Sequence, residues 1–166
     1  MPDVPKKYLI ADANILIDLS QAGRLDMIQT LIRQQLVEIV MPRCVFDEIS
    51  NEVTENDIYE LGITLAPTTP DIYVKITRMT ERGLSRQDKT VLLIAEKKGY
   101  AVWTNDRQLG KSCSARGIKV FREFAILKIL YEHGLISKDA LLDVARCVEA
   151  LNPLMKGICQ RLTAEL

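Results

Sequence analysis

Two rhythms of apolar and polar residues alternate along this chain. Short apolar runs that stop at a polar residue or a proline read as strands, and longer stretches with apolar positions three and four apart read as helices. Tyr8-Leu9-Ile10-Ala11 ends at Asp12 and gives a first strand; Val37-Glu38-Ile39-Val40-Met41, stopped by Pro42, gives a second. Gly62-Ile63-Thr64-Leu65-Ala66-Pro67 is a short strand closed by proline, and Ala101-Val102-Trp103-Thr104 and Ile118-Lys119-Val120-Phe121 complete the set. Helical spacing covers Leu16 to Ser20 and Leu25 to Gln34, the latter with Leu25, Ile28, Leu31 and Ile32 on one face. Further helices are predicted over 43–53, carrying Asp47, Glu48 and Glu52, over 71–81, and from a Ser85 cap through Val91, Leu92 and Ala95 to Gly99. Three more elements, 106–115, 124–133 and 138–151, precede a last helix over 153–163.

Strands separated by helices predict an α/β fold, a parallel sheet with helices on both faces. In such sheets ligands sit beyond the carboxyl ends of the strands, so the residues that follow each strand carry the interest. A length of 166 residues predicts one domain, 1–166, in which 122–166 forms a C-terminal helical extension.

Composition narrows the chemistry. With 48% apolar and 27% charged residues the chain reads as an ordinary soluble protein. No apolar run approaches the roughly 18 residues of a membrane span, and Met1-Pro2-Asp3-Val4-Pro5-Lys6-Lys7 lacks the apolar stretch of a signal peptide. The expectation is a cytoplasmic protein with no membrane partner. Cys44, Cys113, Cys147 and Cys159 form no CxxC pair, and reduced thiols are the simpler reading. The one histidine, His133, precedes Gly134 and reads as a helix C-terminal residue, which removes His-rich zinc chemistry. Net charge is zero, but its distribution is uneven. Residues 78–119 hold ten Lys/Arg against four Asp/Glu, and residues 1–77 hold six against twelve. This pattern fits a phosphate-binding face beside an acidic cluster, or equally a set of solvated helix faces.

The strand ends carry acids. Asp12 follows the first strand and Asp106 the fourth, so both belong to one rim, with Asn14 at a helix start beside them. Glu48 falls in the helix after the second strand, and Asp88 in the first turn of the helix that Ser85 opens. Two such charges about 4 Å apart repel by about 4 kcal/mol at an effective dielectric near 20. A cation between them, or retained protons, makes the cluster tolerable. Carboxylates without His or Cys suit the hard ions Mg²⁺ or Mn²⁺, which activate water for phosphodiester hydrolysis. Each acid also has a plainer reading: Asp12 and Asp106 as N-caps, Asp88 as a complement to the helix dipole, and Glu48 as a solvated helix residue.

The stretches "LIADANILIDL", "LSRQDKTVLLIAEKKG" and "VWTNDRQLG" resemble the signature regions of the PIN domain family over residues 8–121. Asp12, Glu48, Asp88 and Asp106 fall on the family's four acidic positions. The resemblance implies a Rossmann-like three-layer α/β/α sandwich and a Mg²⁺- or Mn²⁺-dependent ribonuclease acting on RNA, with those four as metal ligands and catalytic acids. It also implies a homodimer, and the toxin half of a toxin–antitoxin pair with an antitoxin protein as partner. Asp47 adjoins the second acidic position, and the register with Val45 and Ile49 favours Glu48. Where many members carry a further acid, this chain has Arg107-Gln108-Leu109-Gly110, which implies one tightly held ion and a second recruited only with substrate.

Other residues have paired readings. Asn14, Thr104 and Asn105 are expected to support the rim. Arg86, Lys89, Arg107 and Lys111 flank two of the acids and read as phosphate contacts or as local charge balance. Trp103 reads as core, and the five tyrosines form no compact stacking surface. The alternative function is a catalytically weak domain serving as a nucleic-acid-binding or protein-interaction module. A phosphoacceptor domain fits poorly, since Ala13 follows Asp12 and Arg122-Glu123 follows the last strand.

Overall fold

The computed structural model describes residues 6–166. Met1 to Pro5, on which most of the signal-peptide reading rests, lie outside the described residues. Five strands, β1 (Lys6–Ile10), β2 (Val37–Pro42), β3 (Thr64–Ala66), β4 (Ala101–Trp103) and β5 (Val120–Phe121), form one sheet in the order β3-β2-β1-β4-β5. Every pairing is parallel. The central strands read as apolar runs because both their faces are covered: Leu9, Ile10, Ile39, Met41, Val102 and Trp103 are all fully buried.

The helices are α1 (Asn14–Gln21), α2 (Asp26–Arg33), α3 (Arg43–Phe46), α4 (Glu55–Leu61), α5 (Pro70–Arg78), α6 (Arg86–Lys98), α7 (Arg107–Ala115), α8 (Glu123–Glu132), α9 (Lys138–Leu151) and α10 (Ile158–Glu165), with a 3₁₀ turn over Pro153–Met155. Their principal contacts sort them into two groups. α1 packs on α9, α2 on α4 and α8, and α9 on α8 and α10; α5 and α7 pack on α6. The chain lays β2 and β3 on one side of β1, then crosses back to place β4 and β5 on the other. Right-handed crossovers on a sheet that reverses in this way deliver helices to opposite faces. The result is the three-layer α/β/α sandwich that the residue pattern and the resemblance predict.

Three local expectations change. The last helix, predicted over 153–163, divides at Gly157, whose φ is +81°, into the 3₁₀ turn and α10. The helix predicted over 43–53 stops at Phe46, and Asp47 to Val53 continue as turns. Glu48 N–H bonds to Val45 O and Ile49 N–H to Phe46 O, three residues back rather than four, so the coil tightens and ends. Thirdly, α4 was not predicted. Its signal is a capping box: Asp57 N–H donates to Thr54 Oγ1 at 3.1 Å, and Thr54 N–H donates to Asp57 Oδ2 at 2.8 Å.

α4 closes on Gly62, whose φ is +87° and whose missing Cβ would stand 2.9 Å from Ile32 Cγ2. Gly99, which closes α6 at φ +70°, faces open space. Both substitutions by alanine incur the left-handed penalty of about 1–2 kcal/mol, and Gly62→Ala adds a clash. Denaturant melts are therefore expected to show Gly62→Ala as the more destabilised of the two; equal losses would mean that α2 yields to the extra methyl without cost.

Candidate active site

β1 and β4 are neighbours, and the order of the sheet reverses between them. The ladder runs one step past β1, where Ala11 N–H donates to Trp103 O at 3.0 Å. Asp12 and the segment Thr104-Asn105-Asp106 therefore leave the sheet side by side at its carboxyl edge. This is the crevice where open α/β sheets bind their ligands.

Three of the four acids are held by the start of a helix. Asp12 Oδ1 accepts from Asn14 N–H at 2.9 Å as α1 begins. Asp88 forms a capping box with Ser85, accepting from Ser85 N–H at 2.9 Å while Ser85 Oγ accepts from Asp88 N–H at 3.0 Å. Asp106 caps α7, its Oδ1 accepting from Leu109 N–H at 2.6 Å, and its own N–H donates to the buried Thr104 hydroxyl at 3.1 Å. The plainer reading of Asp106 as a cap is thus realised. It does not exhaust the group, because a single carboxylate oxygen makes that bond. The same holds for Asp88.

The acids sense one another. Burial raises the pKa of the Asp12 carboxyl, and the charge of Asp106 raises it further, against the lowering effect of bonds from Asn14 and Asn105. Glu48 is exposed on the turn after α3. Partial desolvation raises its pKa, followed by the charges of Asp88 and then Asp12. Its neighbour Asp47 instead adds its charge to the field at Arg43. Of the two adjacent acids, Glu48 is therefore the one that feels the charges of Asp88 and Asp12. Among the described residues, no three acidic, His or Cys side chains close on a single point as a finished metal cage.

Beneath the rim lies a polar layer that the sequence reading missed. Glu123, at the first position of α8, is completely buried. Asn105 Nδ2 donates to Glu123 Oε2 at 3.2 Å and Glu123 N–H donates to Asn105 Oδ1 at 3.1 Å, while Glu123 Oε1 has no hydrogen-bond partner among the described residues. Burial, then the charges of Asp18 and Asp12, push its carboxyl up to about 8. Asp18 is buried on α1, and Asn152 Nδ2 lies 3.1 Å from both its oxygens. Both acids had a visible signal. Asp18 interrupts the apolar face of Ile15, Leu16 and Leu19, and Glu123 lies on the face of Phe124, Ile126, Leu127 and Leu130. A charged residue inside an apolar stripe is the informative observation.

The predicted cations are also placed. Arg86 lies over the ring of Tyr73, 5.1 Å from its centroid, on the first turn of α6. Arg107 and Lys111 are exposed on α7, and Lys89 is half-buried on α6. Among the described residues none of these four forms an ion pair.

Comparison with known proteins fits this geometry. A family model, DUF3368, described as a PIN domain, matches residues 8–153. The chain belongs to the PIN domain family. Members of this family are generally nucleases and generally use divalent metal ions. The match runs through α9 into the 3₁₀ turn, so it includes the Asn152 that meets Asp18. Two solved structures share the fold. PAE2754 from Pyrobaculum aerophilum is 19% identical with a TM-score of 0.52, covering 79% of this chain and 94% of its own. The PilT N-terminus domain protein SSO1118 from the archaeon Sulfolobus solfataricus P2 is 10% identical with a TM-score of 0.50, covering 76% of this chain and 95% of its own. No curated protein matches the chain. No helix among the described residues is long and apolar enough to cross a membrane.

Two predictions follow from the paired roles of these acids. Asn serves as an N-cap about as well as Asp. Without metal, Asp106→Asn is expected to fold as stably as the parent chain or more so, whereas Asp106→Ala loses about 1 kcal/mol. Chelator melts in which the two variants lose equally would remove the capping account. The second concerns Glu123, whose folded pKa lies above the ordinary carboxyl value. Between about pH 5 and 8 the folded state holds a proton that the unfolded state has released. Folding stability in chelator therefore falls as pH rises through that window, by up to about 1.4 kcal/mol per pH unit for this group. Glu123→Gln is expected to flatten that slope and to gain most on the parent near pH 8. An unchanged profile would show that Glu123 is ionised in the folded chain.

Proposed function

We propose that this PIN domain is a Mg²⁺- or Mn²⁺-dependent endoribonuclease. The observation that carries the reading is the coupling of four carboxylates at the point where the sheet order reverses: Asp12 with Asp106, and Glu48 with Asp88 and Asp12. Like charges that raise the pKa of a neighbouring carboxyl, as at Asp12 and Glu48, favour a cation beside it. The donors fit a hard ion, for they are carboxylates and amides. The single histidine is spent elsewhere, with His133 Nδ1 2.9 Å from Ile129 O at the end of α8.

Asp12, Glu48, Asp88 and Asp106 are the residues that would hold the ion. When bound, the ion supplies an activated water and offsets charge on the leaving oxygen. The chain's own groups set the stage. Asn14 and Asn105 hold Asp12, Ser85 holds Asp88, and Thr104 and Leu109 hold Asp106, so the carboxylates are fixed before substrate arrives. Arg107 and Lys111 on α7, with Lys89 on α6, offer positive charge to phosphate oxygens beside the acids. No side-chain nucleophile is needed.

The test is cleavage of a mixed cellular RNA pool with Mn²⁺, with Mg²⁺ and with chelator. Asp12→Asn and Asp88→Asn are each expected to lower metal-dependent cutting by at least about a hundredfold, the scale on which losing one electrostatic stabiliser of a transition state is felt. Mn²⁺ is also expected to raise the melting temperature of the parent chain more than that of either variant. Cutting that persists in chelator, or in both variants, would end this reading. A calorimetric titration that finds no Mn²⁺ binding would leave the binding-module alternative.

A further inference from the structure

The helical tail builds a groove that starts at the acidic rim. It has a volume of about 470 Å³, and its lining includes Asn105 and Arg107, the two neighbours of Asp106 in the chain. The rest of the lining comes from the β5–α8 segment and from the tail that carries the 3₁₀ turn and α10. Three guanidinium groups line it, those of Arg107, Arg122 and Arg161, with one acid, Glu165. All three arginines are exposed, and none forms an ion pair among the described residues. Arg122 is anchored by a bond from its Nη1 to Asn105 O at 3.2 Å. The lining also holds apolar side chains: Phe121, half-buried, Phe124 and Met155, buried, and Leu154, 91% exposed. A cavity of about 510 Å³ at the opposite ends of the strands makes the contrast. Two of its cations, Lys7 and Arg116, are already neutralised by Glu38 and by Glu81 and Glu96.

The geometry points to this groove as the track for a single-stranded stretch of RNA leaving the active site. The proposal rests on the ribonuclease reading and gives the tail a part in it. Unspent arginines and an exposed apolar side chain in one groove match a strand that presents both phosphates and unstacked bases. The bases of an A-form duplex are stacked inside and would not reach such a lining. The arginines also counter the repulsion between phosphates and the carboxylate ring. An acidic peptide shares the charge but not the continuity, since the groove opens onto residues that would act on a phosphodiester.

The experiment uses the full chain as Asp88→Asn in Mg²⁺, with a fluorescent twelve-nucleotide single strand of mixed sequence and a hairpin duplex as control. Arg161→Glu is the informative change, because Arg161 touches none of the four acids; Arg122→Ala and Leu154→Asp are added. Each is expected to weaken single-strand binding about three- to tenfold with circular dichroism unchanged. Each lost arginine should lower the salt dependence by about 0.7 in log–log slope. Arg161→Glu in the otherwise unaltered enzyme should raise KM for the long strand while leaving kcat near its parent value. Three outcomes would overturn the proposal: unchanged affinity and slope in all three variants, duplex bound as well as single strand, or arginine variants that lose an acidic protein partner but keep RNA. If those occur while metal-dependent cutting persists and is lost in Asp12→Asn, only the groove falls. If the parent chain neither cuts nor binds RNA, both readings fall together.

Discussion

Tyr8, Leu9 and Ile10 pair in parallel with Ala101, Val102 and Trp103, and most of what is distinctive about the molecule depends on that ladder. The pairing is buried on both faces and fixed in register, so two carboxylates more than ninety positions apart in the chain are held as neighbours. The apolar contacts of the sheet tolerate this crowding because they are extensive and the repulsion is local. The helix starts then add direction. Asp12, Asp88 and Asp106 each accept backbone N–H bonds at a helix N-terminus, where the unpaired donors and the dipole favour negative charge. Groups destined to repel one another are thus stabilised individually by the fold that gathers them.

The second layer of acids follows another rule. Asp18 and Glu123 are withdrawn from water, and each meets an amide rather than a cation: Asn152 in one case, Asn105 in the other. An amide partner offers the carboxyl a hydrogen bond but no opposing charge, and the charge of Asp12 is felt by both. Asn105 is the hinge of the arrangement. It touches Glu123 and Met155 through its side chain, receives Arg122 at its carbonyl, and bonds to Asp12 through its backbone.

Much of this was legible in the sequence, for identifiable reasons. The strands announced themselves because a parallel sheet buried on both faces needs unbroken apolar runs, and the rim acids followed because they end those runs. The α4 helix was hidden by its polar composition, with only Thr54 and Asp57 to mark its start. The end of α3 was misplaced because Ile49 and Val53 keep a helical spacing while the backbone has already tightened into turns. Asp18, Glu123 and Asn152 were passed over for a different reason. Asp18 and Asn152 meet across 134 positions and Glu123 meets Asn105 across 18, and one-dimensional periodicity carries no information about which amide will meet which carboxyl.

The Asn152–Asp18 contact also bears on how small this domain can be made. A chain ended at Leu151 would keep every strand and all four rim acids, yet it would leave a carboxylate sealed under α1 with its amide partner deleted. It would also lose one wall of the groove. The tail is therefore not an appendage that can be trimmed to reach a minimal catalytic unit. It is the plug of the fold, and shortening the gene from its 3′ end would be felt at a site that lies near the beginning of the protein.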